Sequence, residues 1–239
     1  MEDDVSARGS LEKLAIFDLD GTLVHFAIDW KGARLEVVKV LRTLAIPESI
    51  LDIKNSILDI FKNAKEHGIE SGRSDIDWED TRGTIMEIVE RYEKEATVIS
   101  KLVDGIENVL SMLESKGVRM AVCTLNTTMN ARFVLEKHEI DSFFDFIAGR
   151  DRTNGNFKPN PTHGQIILDH LGIQPRNACM IGDHPADIEM ANALHMNAIA
   201  VLSERHGMGD FEQFRHLDFV TLNDYHDLAG KILNALEVV

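Results

Sequence analysis

A chain of 239 residues, 44% of them hydrophobic, is long enough for one large domain or a core with a smaller companion, and its composition excludes general disorder. Its formal net charge of −15, uninterrupted by any basic cluster or basic helix, excludes nucleic acid and anionic membrane as partners. Any anion bound here must therefore meet a locally positive site.

The first ten residues, MEDDVSARGS, are polar and acidic and are read as a flexible tail. No apolar run reaches about eighteen residues, so neither a membrane-spanning helix nor a secretory signal of the usual kind is expected. The run 14–17 then reads as a short buried strand, ended by Gly21. From 25 to 101 the pattern changes: apolar residues recur at helical spacing over 33–44, 50–66 and 84–98, with Pro47, Gly68 and Gly72 marking breaks. From Val103 onward short apolar runs alternate with amphipathic helical stretches. Strands are expected at 118–124, 144–148, 178–181 and 198–202, with a weaker edge strand at 219–222 and a C-terminal helix after it. Cys123 and Cys179 lie inside two of these apolar runs, where reduced, buried thiols and hence a cytoplasmic protein are expected.

Alternating strand and helix implies a parallel sheet covered on both faces. The predicted class is α/β: a Rossmann-like parallel core formed by 11–24 and 102–239, with 25–101 as an inserted helical cap domain. In open parallel sheets the ligand site lies beyond the carboxyl ends of the strands, so the residues that follow each strand matter most. After the first come Asp18, Asp20, Gly21 and Thr22; after the second, Thr124 and Asn126 in VCTLN. The third leads into GRDRTNGNFKPNP, which carries Lys158, and the fourth into IGDHPAD, which carries Asp183 and Asp187.

Asp18 and Asp20 sit two apart, on one side of an extended chain end, and repel each other unless something offsets their charge. A carboxylate cluster of this kind suits Mg²⁺, a hard cation that takes oxygen ligands and supplies the positive charge the acidic chain lacks. A carboxylate can act as a nucleophile and form an aspartyl phosphate. Thr124 and Lys158 would then hold the phosphoryl oxygens, with Asn126 beside them. Asp20, if protonated, can donate to the departing oxygen and later accept a proton from water. Singly, each residue has an ordinary explanation: a turn former, a helix cap near Pro185, a solvated loop lysine, a strand threonine. Those explanations do not account for all of them falling at one sheet edge.

Together these residues resemble the four motifs of the haloacid dehalogenase superfamily of phosphohydrolases. The motifs are Asp18-Leu19-Asp20-Gly21-Thr22, Thr124 at a strand end, Lys158 in Lys158-Pro159-Asn160-Pro161, and Gly182-Asp183-His184-Pro185-Ala186-Asp187. With the sheet pattern they cover residues 12 to about 202. The resemblance implies Asp18 as nucleophile, Asp20 as general acid/base, and Mg²⁺ held by Asp18, the backbone carbonyl of Asp20, and Asp183. It also implies phosphate binding by Thr124 and Lys158, and Asp187 orienting the metal site or Lys158 from behind. Dehalogenases of the superfamily lack the second aspartate, so Asp20 points away from dehalogenation. A likeness to phosphoglycolate phosphatases is also visible. Many of those continue the first motif into Asp-Ser, whereas this chain reads Leu23-Val24-His25-Phe26.

The expected activity is Mg²⁺-dependent hydrolysis of a small phosphorylated metabolite, by a monomer or homodimer. A phosphomutase of the same superfamily and a non-catalytic phosphate-binding signalling module are the alternatives. His163, His170 and His195 fall in stretches read as helical and lack metal-ligand spacing, and His184 is read as loop filler. Lys31, Arg34, Arg73 and Arg82 are read as a solvated helix face, with recognition of a second substrate anion as the functional alternative. The tract 202–215, with two glycines, reads as a long loop without an assigned role.

Overall fold

The structure, a computed structural model, describes residues 12–25, 27–203, 205–214, 217–222 and 224–238; the expected N-terminal tail, residues 1–10, lies outside them. The chain divides into two compact units. One is Ala27–Ile99 and the other comprises the described residues on either side of it.

The larger unit is built on a parallel sheet. Its strands are β1 (Leu14–Phe17), β2 (Arg119–Cys123), β3 (Phe146–Ala148), β4 (Ala178–Gly182), β5 (Asn197–Leu202) and β6 (Asp218–Thr221), in the order β3-β2-β1-β4-β5-β6. The central strands are continuous apolar runs because helices cover both faces. Successive side chains alternate between those faces. Ala15, Phe17, Val122 and Ile181 pack with α4 (Ile106–Ser115), α5 (Thr128–Lys137) and α8 (Leu228–Ala235). Leu14, Ile16, Ala121 and Met180 pack instead with α6 (Thr162–Leu171) and α7 (Pro185–Ala193). Ile16 pairs with Ala121 on one side and Met180 on the other, which makes β1 the neighbour of both β2 and β4.

The smaller unit consists of α1 (Trp30–Thr43), α2 (Ile57–Glu70) and α3 (Trp78–Ile99) around a core that includes Val37, Leu41, Ile60, Ile85 and Val89. Side chains set two of the starts: Asp29 accepts from the Gly32 amide, and Ser56 accepts from the Asp59 amide at 3.1 Å. The cap at Ser56 explains why α2 begins seven residues later than periodicity alone indicates, at Ile57 rather than 50. Gly68 does not break that helix. A Cβ there would lie 2.2 Å from Trp78 Cζ2, so the glycine admits the indole.

Candidate active site

The site is assembled at the carboxyl edge of the central strands. Asp18 follows β1, and its amide donates to the Ile181 carbonyl at 2.8 Å, extending the pairing with β4 by one residue. The chain then turns sharply: Gly21 has φ +87°, and its amide donates to the Val24 carbonyl at 2.7 Å. A Cβ on Gly21 would lie 2.3 Å from Asp183 Oδ2, so glycine serves both the turn and the close approach of that carboxylate. Gly182, at the end of β4, likewise admits the close approach of Asp187, whose Oδ2 would lie 2.2 Å from an added Cβ. Two of the carboxylates thus rest directly on backbone that carries no side chain.

Lys158 enters this cluster fully buried. Its ammonium donates to Asp18 Oδ1 at 2.8 Å, to the Cys123 carbonyl at 2.9 Å, and to Asp187 Oδ1. Burial works against its charge, but Asp18 and Asp187 outweigh that penalty and raise its pKa. The lysine is a fixed cation. Asp183 has weaker support: Ser203 Oγ donates to its Oδ2 at 3.3 Å, and the half-exposed Arg205 guanidinium stands 3.8 Å away. Burial, followed by the neighbouring Asp18 charge, pushes Asp183 upward; burial does the same to Asp187. Oxygens of Asp18, Asp183 and Asp187 lie within 4.8 Å of one another. Three carboxylates face one ammonium and, at 3.8 Å from Asp183, one half-exposed guanidinium, so the cluster has an excess of acidic groups that a cation would offset. The all-oxygen donor set is the kind that Mg²⁺ takes.

Thr124 closes another side. It is buried, its amide donates to the Ala148 carbonyl at 3.0 Å, and its Oγ1 accepts from the Asn126 amide at 3.0 Å. Asn126 in turn donates from Nδ2 to Asp20 Oδ2 at 3.4 Å and accepts at Oδ1 from the Thr127 amide.

Residues 15–201 match the sequence model of the haloacid dehalogenase-like hydrolases. The chain belongs to that family. A phosphoglycolate phosphatase of Aquifex aeolicus is 28% identical over 221 residues, spanning 90% of this chain and 98% of that protein. The probable phosphatase IndB of Dickeya dadantii is 29% identical, spanning 80% and 81%. Among solved structures, a predicted phosphatase from Clostridium acetobutylicum superposes with TM-score 0.65 at 24% identity, over 94% of this chain and all of that one. A β-phosphoglucomutase from Clostridium difficile gives 0.64 at 20%, over 95% and 99%. These superpositions establish the α/β fold. In sequence, this haloacid dehalogenase-like hydrolase is similar to phosphoglycolate phosphatases.

Within the hydrolase, Asp18, Asp187 and Lys158 come together as one hydrogen-bonded cluster, with the Asp183 carboxylate within 4.8 Å of the other two carboxylates. The carboxylate of Asp20 is not among those within 4.8 Å of one another and is bonded to Asn126 instead. His184 is more than filler: its Nδ1 accepts from the Ala186 amide and caps α7, while Asp187 accepts from the His184 amide. Burial takes the His184 pKa down to about 4. His195 lies beyond the end of α7, at φ +59°, rather than in a helix. In the helical unit, the Arg73 guanidinium is engaged by Asp75 and the Leu44 carbonyl. Sequence reasoning left three contributors without a role. Ser203 and Arg205 come from the loop after β5, and His206 stacks edge-on against His184 with ring centres 4.7 Å apart. The available signal was their place after a strand, at the same sheet edge as the other loops. The rest of the 202–215 tract includes a short 3₁₀ turn, Met208–Phe211; residues 204 and 215 lie outside the described residues. Both cysteines are free and buried, and no helix among the described residues is long and apolar enough to cross a membrane.

Proposed function

We propose that this hydrolase cleaves a small phosphomonoester in a Mg²⁺-dependent reaction, through an aspartyl phosphate on Asp18, with a phosphoglycolate-like substrate. The observation that carries the reading is the buried Asp18–Lys158–Asp187 cluster with Asp183 beside it, at the carboxyl edge of the sheet. Asp18, the Asp20 backbone carbonyl and Asp183 are the groups that would hold Mg²⁺. When bound, the ion supplies positive charge against both the carboxylates and the phosphoryl oxygens.

The chain's own residues do the rest. An Asp18 oxygen bonds to phosphorus as the ester P–O bond breaks, and protonated Asp20 gives its proton to the departing oxygen. Water then attacks the acyl phosphate, its proton passing to Asp20, and inorganic phosphate leaves. Lys158, Thr124 and Asn126 hold the phosphoryl oxygens, and Asp187 keeps Lys158 in place. The unit Ala27–Ile99 acts as the substrate-selecting cap, as its insertion between β1 and α4 supports. Two buried thiols support a cytoplasmic location.

The test is phosphate release from a panel of phosphorylated metabolites with Mg²⁺, run on wild type, Asp18→Asn and Asp20→Asn. Asp18→Asn is expected to form no phosphoprotein. Asp20→Asn is expected to cleave alkyl phosphates roughly 10²–10⁴-fold more slowly. With p-nitrophenyl phosphate, whose leaving group needs no proton, Asp20→Asn should accumulate a hydroxylamine-labile phosphoprotein. Phosphorylation of Asp18→Asn would overturn the assignment.

A further inference from the structure

His163 occupies the first turn of α6, five residues after Lys158, and its side chain is wholly buried. Both ring nitrogens are engaged. The Lys158 backbone amide donates to Nδ1 at 3.2 Å, and Nε2 lies 3.0 Å from the Ala148 carbonyl. A backbone N–H can only donate, so Nδ1 carries a lone pair; the ring proton of the neutral imidazole then sits on Nε2 and points at Ala148. The ring is therefore a strut. One end rests on the last residue of β3, and the other on the main chain of the residue whose ammonium reaches Asp18, Asp187 and the Cys123 carbonyl.

The same Ala148 carbonyl accepts from the Thr124 amide at 3.0 Å. Through that one oxygen, the strut refers Lys158 to the position of Thr124, another side chain assigned to the phosphoryl oxygens. Burial drives the His163 pKa down to about 4, so the ring is neutral and keeps this donor–acceptor pattern at neutral pH. A leucine of similar size would fill the volume but leave a buried amide without an acceptor.

We propose that His163 is a positioning residue: it sets the depth at which Lys158 enters the carboxylate cluster by holding the lysine's amide against the end of β3. The inference rests on the phosphatase reading and deepens it. Lys158 must meet phosphoryl oxygens at hydrogen-bond distance, and a displacement of about 1 Å at such a group is worth up to about 100-fold in rate.

Three variants separate the ring's two bonds. His163→Asn keeps an acceptor near the position of Nδ1, His163→Gln keeps a donor near Nε2, and His163→Leu removes both. Each is assayed with p-nitrophenyl phosphate and Mg²⁺ for kcat and KM, for inhibition by inorganic phosphate, and for its thermal midpoint. The leucine and glutamine variants are expected to lose about 10- to 100-fold in kcat/KM and to bind inorganic phosphate more weakly. The asparagine variant is expected to stay within about three-fold of wild type, at a thermal midpoint no higher than that of the glutamine variant. A purely structural histidine would make activity follow the thermal midpoint rather than the acceptor. Asparagine and glutamine variants equally active, or equally impaired, would overturn the proposal, even if the leucine variant fails to fold. Lys158→Met is the control. If it folds and keeps wild-type turnover and phosphate inhibition, the assignment of Lys158 itself fails; if it loses both while every folded His163 variant matches wild type, only the strut is refuted.

Discussion

Replacing Lys158 by methionine keeps the apolar stem of the side chain and deletes only its charge, which isolates the electrostatics of the cluster. The ammonium has three acceptors: two carboxylates and a carbonyl. Side-chain exposure is 2% for Lys158, 9% for Asp18 and 0% for Asp187, so neither partner is rehydrated when the ammonium goes. A surface ion pair would be worth less than about 1 kcal/mol. Removing one partner of a buried pair costs about 3–5 kcal/mol, because the charge left behind has nothing to balance it. The expected loss for metal-free Lys158→Met is therefore about 3–5 kcal/mol. Removing the more buried orphan as well, in Lys158→Met/Asp187→Asn, should recover about 1–3 kcal/mol. Both tryptophans, Trp30 and Trp78, lie in the helical unit, so fluorescence reports on the wrong part of the molecule. Amide exchange of peptides spanning β1 and β4, measured in EDTA, reads the right one. A loss below about 1 kcal/mol, or a double variant no more stable than the single, would refute the charge argument.

Gly21→Ala should cost at least the ~1–2 kcal/mol of a left-handed non-glycine residue and, by displacing Asp183, raise the Mg²⁺ concentration needed for half-maximal turnover. Gly117→Ala, at φ +70° with nothing within 4 Å of the added Cβ, is the control that should show strain without any change in metal demand. Exhaustive chelation should abolish turnover, and Mg²⁺ at about a hundred times its Kd should restore it and add about 2.7 kcal/mol of stability. Undiminished activity in EDTA would count against a metal. His163 titrates at about 4 in the folded protein against 6.5 for a solvated imidazole, so the unfolded chain takes its proton first. Stability from this group is complete above about 6.5 and falls by about 3 kcal/mol as pH drops through 4. In chemical denaturation between those pH values, His163→Asn should show a visibly shallower slope than wild type.

The strand ends could be read from the sequence because two local rules act together. Apolar runs broken by Gly21, Thr124 and Asp183 mark where strands stop, and a parallel sheet sends every such stop to one edge. Asp18, Lys158 and Asp183 were legible for that reason, as was the family that their order resembles. Helix boundaries were less so. Gly68 carries the local signature of a break, yet it lies inside α2 because a tryptophan ten residues later needs the space of its missing Cβ.

What only the tertiary structure decided is who faces whom. Nothing in the chain order brings Lys158 within 2.8 Å of a residue 140 positions away, sets Asp183 against Gly21, or turns the loop after β5 so that Ser203 and Arg205 support Asp183. The hydrophobic pattern specifies strands and faces through local periodicity. The pairing of buried charges depends on the strand order β3-β2-β1-β4-β5-β6, which comes from packing helices on both faces of a twisted sheet. Coulomb energy between buried groups varies with ångström separations and local dielectric, and neither quantity exists until the strands are side by side.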